Sequence, residues 1–191
     1  MLIRGNGFNL YLVLIVALGL ATGCKTTGED KKPLSTLRLY LEAKKGGSKV
    51  DPKVDPFAGT ETVEVDRANK MRFTIDKAPF LTEASVKEAK VVDDHGSYAL
   101  QVQFDEKGTW LLEEYTGANR SRHIVVSSQF FNPGEEKINL GRWLAAPMIR
   151  NHITDGLFVF TPDATREEAE RIALGLNHVA KILATGRDIK L

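Results

Sequence analysis

One cysteine in 191 residues, Cys24, fixes how this chain must hold itself together. Without a second thiol there is no intrachain disulfide and no cysteine-built zinc site, so a folded domain has to rest on its hydrophobic core. The chain is long enough for one such core. The place of Cys24 is as restrictive as its number. It ends the small-residue stretch Leu20-Ala21-Thr22-Gly23-Cys24, directly behind an apolar run from Leu10 to Leu20, and Arg4 supplies a positive start.

A basic start, a short apolar run and a small-residue ending are the parts of a secretory signal peptide, expected here over 1–23. The run is too short for a bilayer span, which needs about 20 apolar residues. Its ending resembles the bacterial lipobox. The resemblance implies that the Cys24 thiol receives a diacylglyceryl group, that the bond before it is cut, and that the new N-terminus is acylated. Several acyl chains, each buried methylene adding about 0.8 kcal/mol, hold a protein durably at a membrane. The covalent lipid on Cys24 would then be the membrane attachment, and it leaves no thiol for nucleophilic chemistry. In Gram-negative sorting an Asp after the cysteine retains a lipoprotein at the inner membrane. Lys25 stands there instead, which favours the outer membrane, with the domain facing the periplasm.

Removing 1–23 takes away Arg4 and no acid, leaving 25 basic and 25 acidic residues. A neutral domain lacks the basic surface that releases counterions from phosphates, so no nucleic-acid partner is expected. Residues 24–33 hold no apolar side chain after the cysteine and cannot bury enough surface to order themselves; they read as a tether.

Residues 34–79 read as N-terminal strands. Leu37, Leu39 and Leu41 alternate with polar neighbours, as do Val63 and Val65, then Met71, Phe73 and Ile75, the period of half-buried strands. Between them 44–59, with a Gly-Gly pair and two Asp-Pro steps, is a flexible connection. Val86 to Val92, a turn at Asp93-Asp94-His95-Gly96, and Tyr98 to Phe104 make a hairpin. Asp105 caps a helix carrying Gly108, Leu111, Leu112 and Tyr115 on one stripe. His123 to Ser127 is a short apolar strand. A long polar turn from Phe131 leads to Leu144 to Ile149, and Leu157 to Phe160 is another strand. Thr165 and Glu168 form a capping box for a last helix with the stripe Ala169, Ile172, Ala173, Leu176, Ala180 and Leu183, closed by Gly186. The fold class expected is α+β: a mainly antiparallel sheet with two amphipathic helices packed on one face.

Three segments carry a family resemblance. Phe80-Leu81-Thr82-Glu83-Ala84-Ser85-Val86 is similar to the leucine-threonine entry into a strand of the P1 head domain of the protein-export subunit SecD. Val102-Gln103-Phe104-Asp105-Glu106-Lys107-Gly108, continuing through Tyr115 to Arg122, resembles that family's strand, glycine-containing helix and arginine-bearing exit. Ala146-Pro147-Met148-Ile149-Arg150, followed by Thr165-Arg166-Glu167-Glu168-Ala169, resembles its alanine-proline-valine-isoleucine strand and its final helix. The resemblance covers about residues 80–184 and assigns 80–191 to a P1-head-like domain. It implies a periplasmic module that meets polypeptide or another envelope protein. SecD's own transmembrane helices, which couple proton flow to export, have no counterpart here, and its tight Asp-Gly hairpin is replaced by the turn from Phe131 to Arg142.

Enzyme signatures are missing. His95, His123, His152 and His178 lack metal-ligand spacing, Ser127-Ser128 lacks a nucleophile elbow, and the adjacent pairs Glu113-Glu114 and Glu135-Glu136 point in different directions rather than facing each other. No catalytic residue, small-molecule cofactor or metal is expected. Two features suit binding. Trp110 falls opposite the apolar stripe of its helix, where it is either an aromatic anchor for a partner or, the expectation, a ring covered by Leu34 to Leu41 or by the long turn. Arg142 and Trp143, with Arg150, join guanidinium and indole groups that grip acidic or extended peptide, unless they are scattered surface arginines and a ring that pins its loop. The expected function is a lipid-anchored, non-enzymatic envelope protein binding polypeptide or an envelope or export partner. The alternative is a structural accessory or spacer subunit of an outer-membrane assembly without client binding.

Overall fold

In the computed structural model, residues 34–43, 59–66, 68–130 and 141–186 are described. The expected signal peptide, the expected lipidation site Cys24, the expected tether, most of the 44–59 connection and most of the long turn after Phe130 lie outside these residues. The elements, in order, are β1 (Arg38–Leu41), β2 (Thr60–Val65), β3 (Met71–Asp76), β4 (Leu81–Thr82), a 3-10 turn (Glu83–Ser85), β5 (Val86–Asp94), β6 (Ser97–Phe104), α1 (Glu106–Ala118), β7 (Ile124–Ser128), β8 (Arg142–Ala145), β9 (Leu157–Phe160) and α2 (Arg166–Ala184).

The fold is α+β with all strand pairs antiparallel. The strands divide into three sheets rather than the one expected: β4-β1-β7-β8, the hairpin β2-β3, and β5-β6-β9. The four-stranded sheet is covered on both faces. Leu39, Leu41, Ile124, Val126 and Leu144 enter the main core, while Val125, Tyr40 and Trp143 meet the buried face of the β2-β3 hairpin, made by Val63, Val65, Phe73 and Ile75. A strand buried on both sides reads as a continuous apolar run, which is why 123–127 shows no alternation in sequence. The hairpin is half-buried and alternates, its outer face carrying Glu64 with Arg72 at 3.0 Å and Lys70 at 3.5 Å.

Local chemistry sets the helix starts. Asp105 Oδ1 accepts the Gly108 N–H at 2.7 Å, and the Thr165–Glu168 capping box forms with both reciprocal bonds. Between β5 and β6, His95 and Gly96 both take positive φ, 44° and 85°, the left-handed pair that a two-residue hairpin turn requires. On α1 the buried stripe is Gly108, Leu112 and Thr116; Leu111 and Tyr115 are half-buried, and Tyr115 stacks on Phe80 with centroids 4.2 Å apart. On α2 the buried stripe runs through Ala169, Ile172, Ala173, Gly175, Leu176 and Val179. It therefore leaves out Leu183, which is 38% exposed.

Helix α2 lies along β5, the outermost strand of its sheet. Arg166 Nη1 meets Asp93 Oδ1 at 2.7 Å near one end. Farther along, the Asn177 amide pairs with the main chain of Ala89. Covering an edge strand with a helix removes a template for uncontrolled pairing.

Candidate functional site

Where α2 runs past the start of β5, the two elements part to form an open groove of 720 Å³. A bulge sets its shape: Val86 pairs with Phe104 and Glu88 with Gln103, so Lys87 falls out of register and bends the strand. Val86 and Ala84 stand on the strand side, with Ala180, Leu183 and Ala184 on the helix side. Lys87, Glu88 and Lys181 are exposed at the rim. Asp105 also lines the groove, its carboxylate already committed to the cap of α1. Apolar walls, a polar rim and a strand margin suit an extended chain better than a compact small molecule.

The four candidate binding residues do not share one surface. Trp110 is 62% exposed on α1, so neither 34–41 nor any other described segment covers it, contrary to the expectation of a covered ring. Arg142 is held inside the fold. Its Nη1 and Nη2 donate to the two Glu168 carboxylate oxygens at 3.2 and 3.0 Å, and its guanidinium lies 5.1 Å from the centre of the Phe130 ring. Trp143 is half-buried beneath the β2-β3 hairpin, edge-on to Tyr40 at 5.2 Å. Arg150 is exposed and lines a small pocket of 170 Å³ with Pro147, Met148 and Val159.

The histidines also go separate ways. His123 Nδ1 lies 2.6 Å from Glu42 Oε2, which also accepts the His123 backbone N–H at 3.0 Å. His152 Nε2 is 3.8 Å from Glu113, and exposed His95 lies 3.8 Å from its neighbour Asp94. Ser128 Oγ donates to the Thr36 carbonyl at 2.7 Å. Among the described residues no group of three His, Cys, Asp or Glu is placed to hold a metal ion, and no helix is long and apolar enough to cross a membrane. The groove residues escaped sequence reading because Leu183 looks like core, and because nothing local links Asn177 to Ala89.

The family model for the SecDF P1 head subdomain matches residues 60–180, from the β2-β3 hairpin to within α2. The chain belongs to the SecDF P1 head family. No curated protein matches it. Similar solved structures include SecDF in a super-membrane-facing form, at 23% identity and TM-score 0.48, over 75% of this chain and 18% of that one. A second is described as a membrane component SecDF that enhances protein export, at 20% identity and TM-score 0.48, over 93% of this chain and 71% of that one. A third is SecDF from Thermus thermophilus, described as a translocon-associated membrane protein, at 17% identity and TM-score 0.37, over 90% and 34%. The chain thus spans less than a fifth of the first of these.

Proposed function

We propose that this protein is a lipid-anchored, non-enzymatic component of the bacterial envelope, held through acyl chains on Cys24, facing the periplasm and placed at the outer membrane. Its P1-head domain binds extended polypeptide in support of protein export. Family membership supports the setting, since a similar SecDF is described as enhancing protein export. The observation that carries the binding reading is Trp110, a large apolar ring 62% exposed on a helix whose own cap lines the 720 Å³ groove. Exposed tryptophan costs solvation and is enriched among binding hot spots. Arg150 is a second exposed contact. Arg142 and Trp143 serve binding by fixing the scaffold, through Glu168 and Tyr40.

The test is a binding assay between the purified chain and a reduced, permanently unfolded polypeptide. The expected result is saturable binding that Trp110→Ala weakens about tenfold and Leu183→Asp also weakens, with both variants still folded. No binding, together with a stably co-purifying envelope protein, would instead establish a spacer subunit.

A further inference from the structure

A second groove follows the margins of two sheets, because β8 and β9 are each the outermost strand of their own sheet. The hydrogen-bond phase of β9 shows which of its groups are open. The Phe104 N–H donates to the Gly156 carbonyl at 3.0 Å, and the same register continues through Val102↔Phe158 and Leu100↔Phe160. Antiparallel pairs alternate between bonded and non-bonded, so Phe158 and Phe160 turn their main chain to β6, while Leu157 and Val159 turn theirs outward. The outward Leu157 N–H is taken by Asp155 Oδ1 at 3.0 Å. The outward N–H and carbonyl of Val159 have no partner among the described residues.

The facing margin is the continuation of β8. The Ile124 N–H donates to the Pro147 carbonyl at 3.0 Å and the Ile149 N–H to the Arg122 carbonyl at 2.8 Å. These bonds flank the His123↔Met148 bridge, so the main chain of Met148 also points outward. The Asp163 N–H, donating to the Leu144 carbonyl at 2.6 Å, is the one main-chain bond between the two margins among the described residues. Away from it they part. A hollow of 410 Å³ between 144–147 and 160–163 is followed by one of 170 Å³ bordered by both Met148 and Val159, and Pro147 lines both. Met148 and Val159 are 47% and 46% exposed. The margin of β5, by contrast, is covered by α2.

We propose that an extended polypeptide segment enters this groove as an added strand, hydrogen-bonded to Val159 on one side and Met148 on the other, with an acidic side chain reaching Arg150. Unpaired N–H and carbonyl groups along a strand margin are complementary to another main chain. One strand between two margins serves both, whereas a second copy pairing by its own edge would serve one. Arg150 lines the smaller hollow, is exposed, and makes no hydrogen bond or ion pair among the described residues; an unpaired guanidinium there favours an acid. The proposal rests on the reading that the domain binds polypeptide, and adds where and by which groups a segment is held.

The experiment measures anisotropy of a short labelled peptide of alternating Val and Thr with one Glu, against the full chain in neutral detergent. Binding should be saturable, and hydrogen exchange at the Val159 and Met148 amides should slow about tenfold with peptide bound. The same peptide N-methylated at alternate residues should bind about tenfold more weakly, since its main-chain donors are gone. Val159→Pro removes an outward N–H where an edge strand tolerates proline and should weaken the unmodified peptide about fivefold. Arg150→Glu should shift preference to a peptide with Lys in place of Glu. Equal binding of the methylated peptide, unchanged exchange at both amides, or exchange at both that slows with protein concentration alone, as a second copy would cause, would overturn the proposal while leaving polypeptide binding intact. Failure of the peptide and of unfolded polypeptide alike to bind would overturn the functional reading with it.

Discussion

The side-chain amide of Asn177 pairs with the main chain of Ala89 as a neighbouring strand would: its Oδ1 accepts the Ala89 N–H at 2.8 Å and its Nδ2 donates to the Ala89 carbonyl at 2.7 Å. Ala89 is 2% exposed, so water cannot readily replace either bond. Asn177→Ala should cost about 2 kcal/mol, the usual penalty for stranding buried main-chain groups, measured as a lowered urea midpoint. Hydrogen exchange at the Ala89 amide should accelerate more than at its neighbours in β5.

Gly175 lets α2 sit directly on the segment before β1. A Cβ there would stand 2.8 Å from both the Ser35 Cβ and its backbone nitrogen. Replacing an interior helical glycine with alanine ordinarily gains about 1 kcal/mol. Here Gly175→Ala should instead lose about 2 kcal/mol through overpacking. Leu174→Ala, one residue away and 58% exposed, should leave the thermal midpoint nearly unchanged.

Glu168 serves two partners at once, the Thr165 N–H at 2.8 Å and the Arg142 guanidinium. Arg142→Ala would take the guanidinium away from a half-buried carboxylate, at a cost of about 2 kcal/mol. Arg142→Lys should recover only part of this, because an ammonium cannot reproduce the paired geometry. Chemical denaturation of the three proteins checks the order.

Two exposed carboxylates have pKa values held below the ordinary 4.5: Glu64 chiefly by its hydrogen bond from Arg72, then by the Lys70 charge, and Glu167 chiefly by its own backbone N–H, then by the Thr165 hydroxyl. A depressed folded-state pKa adds stability that is present above the unfolded value and lost as pH falls through the folded one. Stability should therefore decline on acidification below about 4.5. Glu64→Gln and Glu167→Gln should each flatten that decline, and salt should shrink the Glu64 share.

The two tryptophans sit in opposite surroundings, and quenching separates them. Trp110→Phe should leave a blue-shifted emission from Trp143 that acrylamide quenches poorly. Trp143→Phe should leave the red-shifted, readily quenched emission of Trp110. Equal quenching of the two variants would contradict the exposed placement of Trp110.

Local signals made much of this fold readable. The Thr165–Glu168 box, the Asp105 cap and the 86–104 hairpin each depend on residues close in sequence, and each appears where expected. The division into three sheets did not show, because it depends on which faces meet. Tyr40 alternates with Leu39 and Leu41 like a solvent-facing strand position until the β2-β3 hairpin closes over it. The exposure of Trp110 turned on whether a distant segment would reach it. The Asn177–Ala89 and Glu42–His123 pairs, 88 and 81 residues apart, leave no periodic trace. Both grooves arise between elements distant in the chain, so their lining residues look individually like core or like solvated surface.

One consequence of the strand order is mechanical. β1, the first described strand, is not at a margin: β4 flanks it on one side and β7 on the other. A pull on the chain before Leu34 along the strand would therefore load two hydrogen-bond ladders together in shear, a direction in which many bonds must yield at once rather than one after another. Load entering at that end of the described domain is thus shared between two neighbouring strands instead of resting on one.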